Sequence, residues 1–136
     1  DLFTIRDACD EDLATLNAYN YNEGMDAFPS VENIRVAVNG AGEIVGYLRL
    51  AFSPEGVAHV NPVVTYPTWR GYGVGRALIE TIEHDPMFFS APRVVIPASI
   101  NALHFYQGLG YTFAPGGDQL DEEQLYCLEK FPQHSA

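Results

Sequence analysis

The sequence predicts an α/β fold, and three observations carry that prediction. Two alternating apolar runs, Ile34-Arg35-Val36-Ala37-Val38 and Glu43 to Phe52, flank Asn39-Gly40, a hairpin signal because both residues tolerate positive φ. A strand-like run, Val57 to Thr65, leads into Trp69-Arg70-Gly71-Tyr72-Gly73-Val74-Gly75-Arg76. Val74, Ala77, Leu78, Thr81 and Ile82 then fall on one helical face. A short apolar run, Arg93-Val94-Val95-Ile96, closes a strand–helix–strand crossover, which makes its two strands parallel.

In chain order, Leu2 to Arg6 alternates as a first strand. Asp10-Glu11-Asp12 opens a helix with acids at its positive end and Leu13 and Leu16 turned inward. From Tyr19 to Ser30 the periodicity dissolves among aromatics, Asn and Gly. After the hairpin, Ser53-Pro54-Glu55-Gly56 makes a turn. Pro62 then interrupts the next strand, since proline cannot donate to a ladder and argues for an edge or a bulge. The helix begun at the glycines runs to about His84, where Asp85-Pro86 stops it, and Met87 to Pro92 reads as a loop. A helix follows from Ser99 or Asn101 to Gly110, which ends it at positive φ. Tyr111-Thr112-Phe113 is a strand, Ala114 to Glu123 an acidic loop, Gln124 to Phe131 the last strand, and the tail from Pro132 is expected to fray.

The 136 residues suit one domain, 1–136, with 47% apolar and 18% charged residues as in ordinary globular proteins. No apolar run approaches the roughly 18 residues that span a bilayer, and the start carries no signal-like segment. A cytoplasmic protein is the expectation. Cys9 and Cys127 show neither a disulfide framework nor metal-ligand spacing, and no His/Cys/Asp/Glu cluster suits a metal. A net charge of −11, with one lysine and six scattered arginines, excludes a basic nucleic-acid face. It suits solubility, or a cationic acceptor such as an amine.

The glycine turn is the chemically informative stretch. A glycine-rich turn feeding a helix leaves backbone N–H groups free, and the helix dipole adds partial positive charge, so an anion such as phosphate fits there. Arg70 and Arg76 bracket the turn and can neutralise further charge. A P-loop would need Lys-Ser or Lys-Thr where Arg76-Ala77 stand, and a dinucleotide loop would need a third glycine where Arg76 stands.

Arg70-Gly71-Tyr72-Gly73-Val74-Gly75 resembles the signature of the GNAT superfamily of CoA-dependent N-acyltransferases: Arg or Gln, two residues, Gly, one residue, Gly or Ala. A second stretch, Ser99-Ile100-Asn101-Ala102-Leu103-His104-Phe105-Tyr106 followed by Gln107-Gly108-Leu109-Gly110-Tyr111, is similar to that family's later Asn/Ala helix with its Phe-Tyr. The opening Ile5-Arg6-Asp7-Ala8 is loosely similar too. The resemblance implies a mixed, mostly antiparallel sheet of six or seven strands flanked by helices, with a bulged fourth strand splayed from the fifth. It implies acetyl-CoA as co-substrate, its diphosphate on Arg70, Gly71, Tyr72, Gly73, Val74, Gly75 and Arg76. Its pantetheine would pair with Val63, Val64 and Thr65.

The chemistry then follows. A neutral amine must attack a thioester, and a donor must protonate the leaving sulfur. Tyr106 matches the family's tyrosine for that proton, where the bland alternative is a core tyrosine with a locally satisfied hydroxyl. The family's Asn falls seven residues earlier, at Ser99, so Ser99 and Asn101 both become cofactor-contact candidates, or simple helix caps. Residues 93–98 hold no acid, which leaves His59 as candidate base or water-orienting group. Glu55 and Asn61 are weaker candidates, and His84, His104 and His134 read as surface residues. The expected activity is acetyl transfer to a primary amine in a ternary complex, with no metal, and a homodimer as the family's frequent state. The rivals are a CoA-binding sensor without turnover and an acetyltransferase of protein N-termini or lysines.

Overall fold

The computed structural model describes residues 2–132. Its elements in order are β1 (Phe3–Asp7), α1 (Leu13–Asn22), β2 (Ile34–Asn39), β3 (Ile44–Phe52), β4 (Ala58–Thr65), α2 (Val74–Glu83), α3 (Pro86–Ser90), β5 (Val94–Ala98), α4 (Leu103–Gly108), β6 (Thr112–Phe113) and β7 (Tyr126–Lys130). The strands form a seven-stranded sheet in the order β1-β2-β3-β4-β5-β7-β6. β1–β2, β2–β3, β5–β7 and β6–β7 run antiparallel, and β4–β5 runs parallel. The helices flanking this mixed sheet complete the expected α/β class. The chain divides into two compact units, Asp1–Arg49 with Val63–Leu78, and Leu50–Pro62 with the chain from Ile79 onward.

In the first unit, α1 lays Leu16 into a core of Phe28, Ile34, Val36, Tyr47 and Val64. The helix reaches Asn22, beyond the point where the apolar pattern fades at Tyr19. The reason is Asn20, wholly buried because it accepts the Tyr47 O–H. A polar residue with a buried partner interrupts hydrophobic periodicity without interrupting the helix. Asn17 then grips both backbone groups of Phe28, donating to its C=O (3.0 Å) and accepting its N–H (2.7 Å).

The β2–β3 hairpin differs from the Asn-Gly turn the sequence predicts. Gly42 takes the positive φ of 80°, and Asn39 N–H donates to Glu43 C=O while Gly42 N–H returns to Asn39 C=O. Asn39 Oδ1 also accepts from Ala41 and Glu43 N–H, so its side chain shapes a three-residue loop.

The β3–β4 hairpin carries the irregularity that Pro62 foretells. Its turn end is set by Ser53 N–H to Val57 C=O (2.9 Å), its other end by Tyr66 N–H to Val45 C=O (2.9 Å). Between those bonds β4 spends one residue more than β3, which is the count of a β-bulge. The extra residue lies between Val57 and Tyr66, the stretch that holds Pro62.

Gly46 fixes how close β3, β4 and α2 approach. A Cβ there would lie 2.7 Å from the Val64 carbonyl oxygen and 2.7 Å from a Val74 methyl. No side chain fits, so Val74, 1% exposed, seats the start of α2 directly on the strand.

In the second unit, β4 and β5 are in register at two positions, Ala58 with Val94 and His59 with Val95. β5 continues to Ala98 paired with β7. The segment expected as a loop after α2 contains α3, because Pro86 at N1 and Asp85 as N-cap, accepting from Met87 N–H at 2.8 Å, start a helix there. α4 begins at Leu103, later than Ser99 or Asn101 would place it, with Ala102 as its N-cap. Its end is as read: Gly110 has φ 96°, with Gly110 N–H on Gln107 C=O and Tyr111 N–H on Tyr106 C=O, a Schellman pair. Lys130 ties the unit together, donating to Glu83 (2.7 Å) and to Leu109 C=O (2.9 Å). The tail expected to fray begins at Pro132, which is buried; the rest of that expectation, residues 133–136, lies outside the described residues.

Replacing Gly46 with Ala is expected to destabilise the protein by about 1–3 kcal/mol, the usual cost of overpacking, measured by urea unfolding. Gly40→Ala, where a Cβ meets open space and φ is not positive, serves as the control and should stay within about 0.5 kcal/mol.

Acid should weaken the first unit through Asp12. Hydrogen bonds from Arg6 (2.7 Å), and then from Cys9 N–H (2.8 Å), lower its pKa from 3.8 to about 2. A carboxylate depressed in the folded state stabilises it above the unfolded pKa and loses that contribution as pH falls from about 4 toward 2. Because the Arg6 side chain is 42% exposed, we expect about 1 kcal/mol. Asp12→Asn should remove that part of the acid slope in thermal melts.

Candidate active site

The glycine turn occupies the first unit between a 3₁₀ turn, Pro67–Trp69, and α2. Gly71 and Gly73 have φ of 84° and 82°, a region that L side chains rarely enter, and a Cβ at either would meet open space. The backbone conformation, and not crowding, therefore calls for glycine. The first helical bond runs from Ala77 N–H to Gly73 C=O (3.0 Å). Among the described residues, the turn and loop hydrogen bonds include none from the N–H groups of Gly71, Tyr72, Gly73, Val74 or Gly75. Gly71, Tyr72 and Gly73 are exposed, as are Arg70 and Arg76. An exposed glycine turn, a helix dipole and two arginines fit a diphosphate. Upstream, Val63 and Thr65 are half-buried, and Val64 is buried in the core.

Aromatic rings gather beside this turn in the same unit. Tyr19 stacks on Tyr66 with centroids 4.3 Å apart, and Tyr47 meets both edge-on. Burial pushes the Tyr47, Tyr66 and Tyr19 phenols upward. Phe28 packs edge-on against Tyr47, and the Arg49 guanidinium lies 5.3 Å from the Phe28 ring centre. The Arg49 Nε is buried without a hydrogen-bond partner. Sequence reading passed over Arg49, although its spacing from Tyr47 puts both on one face of β3.

In the second unit, Tyr106 is 7% exposed on α4, its ring edge-on to Phe105 and Tyr111. Burial raises its pKa to about 12, so the phenol keeps its proton through neutral pH. Among the described residues, the buried tyrosine hydroxyl without a hydrogen-bond partner is that of its neighbour Tyr111. Ser99 and Asn101 are exposed after β5, in a turn closed by Ala102 N–H to Ser99 C=O (3.0 Å). Neither caps α4, which corrects that alternative. His59 is exposed between buried Ala58 and Val60, at the last register pair of β4 with β5. Glu55 and Asn61 are exposed, as are His84 and His104, while His134 lies outside the described residues.

A buried acid that sequence reading missed is Glu129, 8% exposed on β7 opposite Val95. Arg93 holds it at 2.8 Å, so its charge is compensated. Both cysteines are free, and their thiols are raised: Cys9 by its hydrogen bond with Glu11, Cys127 by burial. Neither is prepared as a thiolate nucleophile. Among the described residues, no three His, Cys, Asp or Glu side chains gather as a metal site, and no helix is long and apolar enough to cross a membrane.

Comparison with known proteins bears on the fold and the family. A solved GNAT-family acetyltransferase from Staphylococcus aureus Mu50 superposes with a TM-score of 0.76 at 15% identity, covering 96% of this chain and 99% of that one. N-acetylglutamate synthase from Neisseria gonorrhoeae, solved with coenzyme A and N-acetyl-glutamate, gives a TM-score of 0.73 at 16% identity, over 98% of this chain and 36% of that one. At these identities the likeness is one of fold. Glucosamine 6-phosphate N-acetyltransferase from Trypanosoma brucei brucei is 33% identical over 76 residues, 52% of this chain and 52% of that protein, so the match spans about half of each. The family model for the acetyltransferase (GNAT) domain matches residues 4–125. By that match, the chain belongs to the GNAT acetyltransferase family.

Proposed function

We propose that this chain, acting as one domain over 1–136, transfers an acetyl group from acetyl-CoA to a primary amine by direct attack in a ternary complex. The observation that carries the reading is the exposed turn Gly71 to Gly73 ahead of α2, with no turn or loop hydrogen bond from the N–H groups of residues 71–75 among the described residues. Backbone N–H groups of Gly71, Tyr72, Gly73, Val74 and Gly75 would hold the diphosphate, with Arg70 and Arg76 neutralising charge. Main-chain groups of Val63, Val64 and Thr65 would pair with the pantetheine amides. Ser99 and Asn101 are exposed polar side chains available to the same cofactor. Acetyl-CoA supplies the activated thioester carbonyl.

The chain's residues then divide the proton work. Tyr106 holds its phenolic proton well above neutral pH, because burial disfavours the phenolate, and donates it to the departing sulfur. His59, exposed and unpaired among the described residues, takes the proton from the incoming ammonium, directly or through water. The acceptor is a small amine, as for the glucosamine 6-phosphate enzyme of Trypanosoma brucei brucei, in preference to a protein terminus or lysine.

Thiol release from acetyl-CoA across an amine panel tests the activity, and its absence with every amine would leave the sensor reading standing. Tyr106→Phe should lower kcat by about 10²-fold or more while the Kd for CoA moves by less than about twofold. An unchanged kcat would remove Tyr106 from the chemistry.

A further inference from the structure

Arg49 presents a charge without an answer. Other basic residues have carboxylate partners: Arg6 with Asp12, Arg35 with Asp7, Arg93 with Glu129 and Lys130 with Glu83. With eighteen acids in the chain, a counter-ion for another arginine costs little to supply. Yet among the described residues Arg49 has no ion pair and no hydrogen bond, although its Nε is buried. A buried donor left unsatisfied is costly unless something outside the chain satisfies it.

The surroundings hold Arg49 in place for such a ligand. It stands on β3, two residues from the fully buried Tyr47 and on the same face. Its guanidinium lies 5.3 Å from the centre of the Phe28 ring, and Asn17 pins the Phe28 backbone from both sides. A strand-borne side chain lying against a fixed ring is preorganised. The planar guanidinium fork favours phosphate and carboxylate groups, which it binds in bidentate fashion.

We infer that Arg49 is a specificity residue that binds an anionic group, phosphate or carboxylate, on the amine acceptor. The substrate class is then a small molecule carrying both a primary amine and an anion. This replaces the cationic acceptor that the −11 net charge invites, because a local unpaired guanidinium outweighs a diffuse, salt-screened surface charge. The inference rests on the transferase reading of the same site.

Matched acceptors test it: an amino sugar with and without its phosphate, and an amino acid with and without its carboxylate as the carboxamide. The wild type should prefer the anionic member of one pair, and the pair that responds distinguishes phosphate from carboxylate. Arg49→Met, which keeps an apolar stem over Phe28, should cut that preference in kcat/KM by about 10- to 100-fold, chiefly through KM. Arg49→Lys should restore part of it. Equal use of both members by the wild type, an unchanged ratio in Arg49→Met, or a loss falling on the KM for acetyl-CoA would each overturn the inference. Calorimetric binding of the anionic amines to the CoA-loaded protein reads it without turnover. Binding lost in Arg49→Met supports it even if no amine releases thiol, an outcome that would sink the transferase reading alone. Equal binding by both proteins refutes it.

Discussion

A helix cannot bond its own first amides, and this site depends on that constraint. The first N–H groups of α2 have no partner within the helix, and most helices cover such groups with a capping side chain. Here the residues ahead of α2 are Gly71, Tyr72 and Gly73, exposed, with two positive φ angles that turn the backbone outward. What holds the amides still is packing beneath them. Val74 sits on Gly46, where a Cβ would be 2.7 Å from both the Val74 methyl and the Val64 carbonyl. One missing side chain on β3 thus sets the height of the helix start above β4.

The same hairpin prepares β4. One extra residue between the Val57 and Tyr66 hydrogen bonds changes which main-chain groups face β3. A strand with unused peptide groups can pair with an extended amide-bearing chain, and pantetheine is one. The aromatic cluster of Tyr19, Tyr47 and Tyr66 stiffens this part of the first unit through edge and face contacts, and the buried Asn20–Tyr47 bond fixes its register.

What could be read in advance depended on whether backbone or tertiary pairing made the demand. The glycine turn, the irregularity of β4 around Pro62 and the Gly110 stop were legible because each follows from a residue's own φ range or missing donor. The Asn39-Gly40 turn was legible as a hairpin, but Asn39 uses its side chain there and Gly42, not Gly40, takes the positive φ. Pro86 was read as ending one helix, when the same fixed φ begins another behind Asp85. Asn20 hid the last turn of α1, because burial of an amide depends on a tyrosine 27 residues away. Arg49 was invisible for the same reason: whether a charge has a partner is a property of the folded chain.

The most direct measurement follows backbone amide resonances while CoA is added. On CoA binding the Gly71, Gly73, Val74 and Gly75 amide protons should move downfield, and pantetheine lacking the diphosphate should leave them in place. If CoA binds and those four resonances do not respond, the amides of the glycine turn are not its diphosphate site, and the account is contradicted.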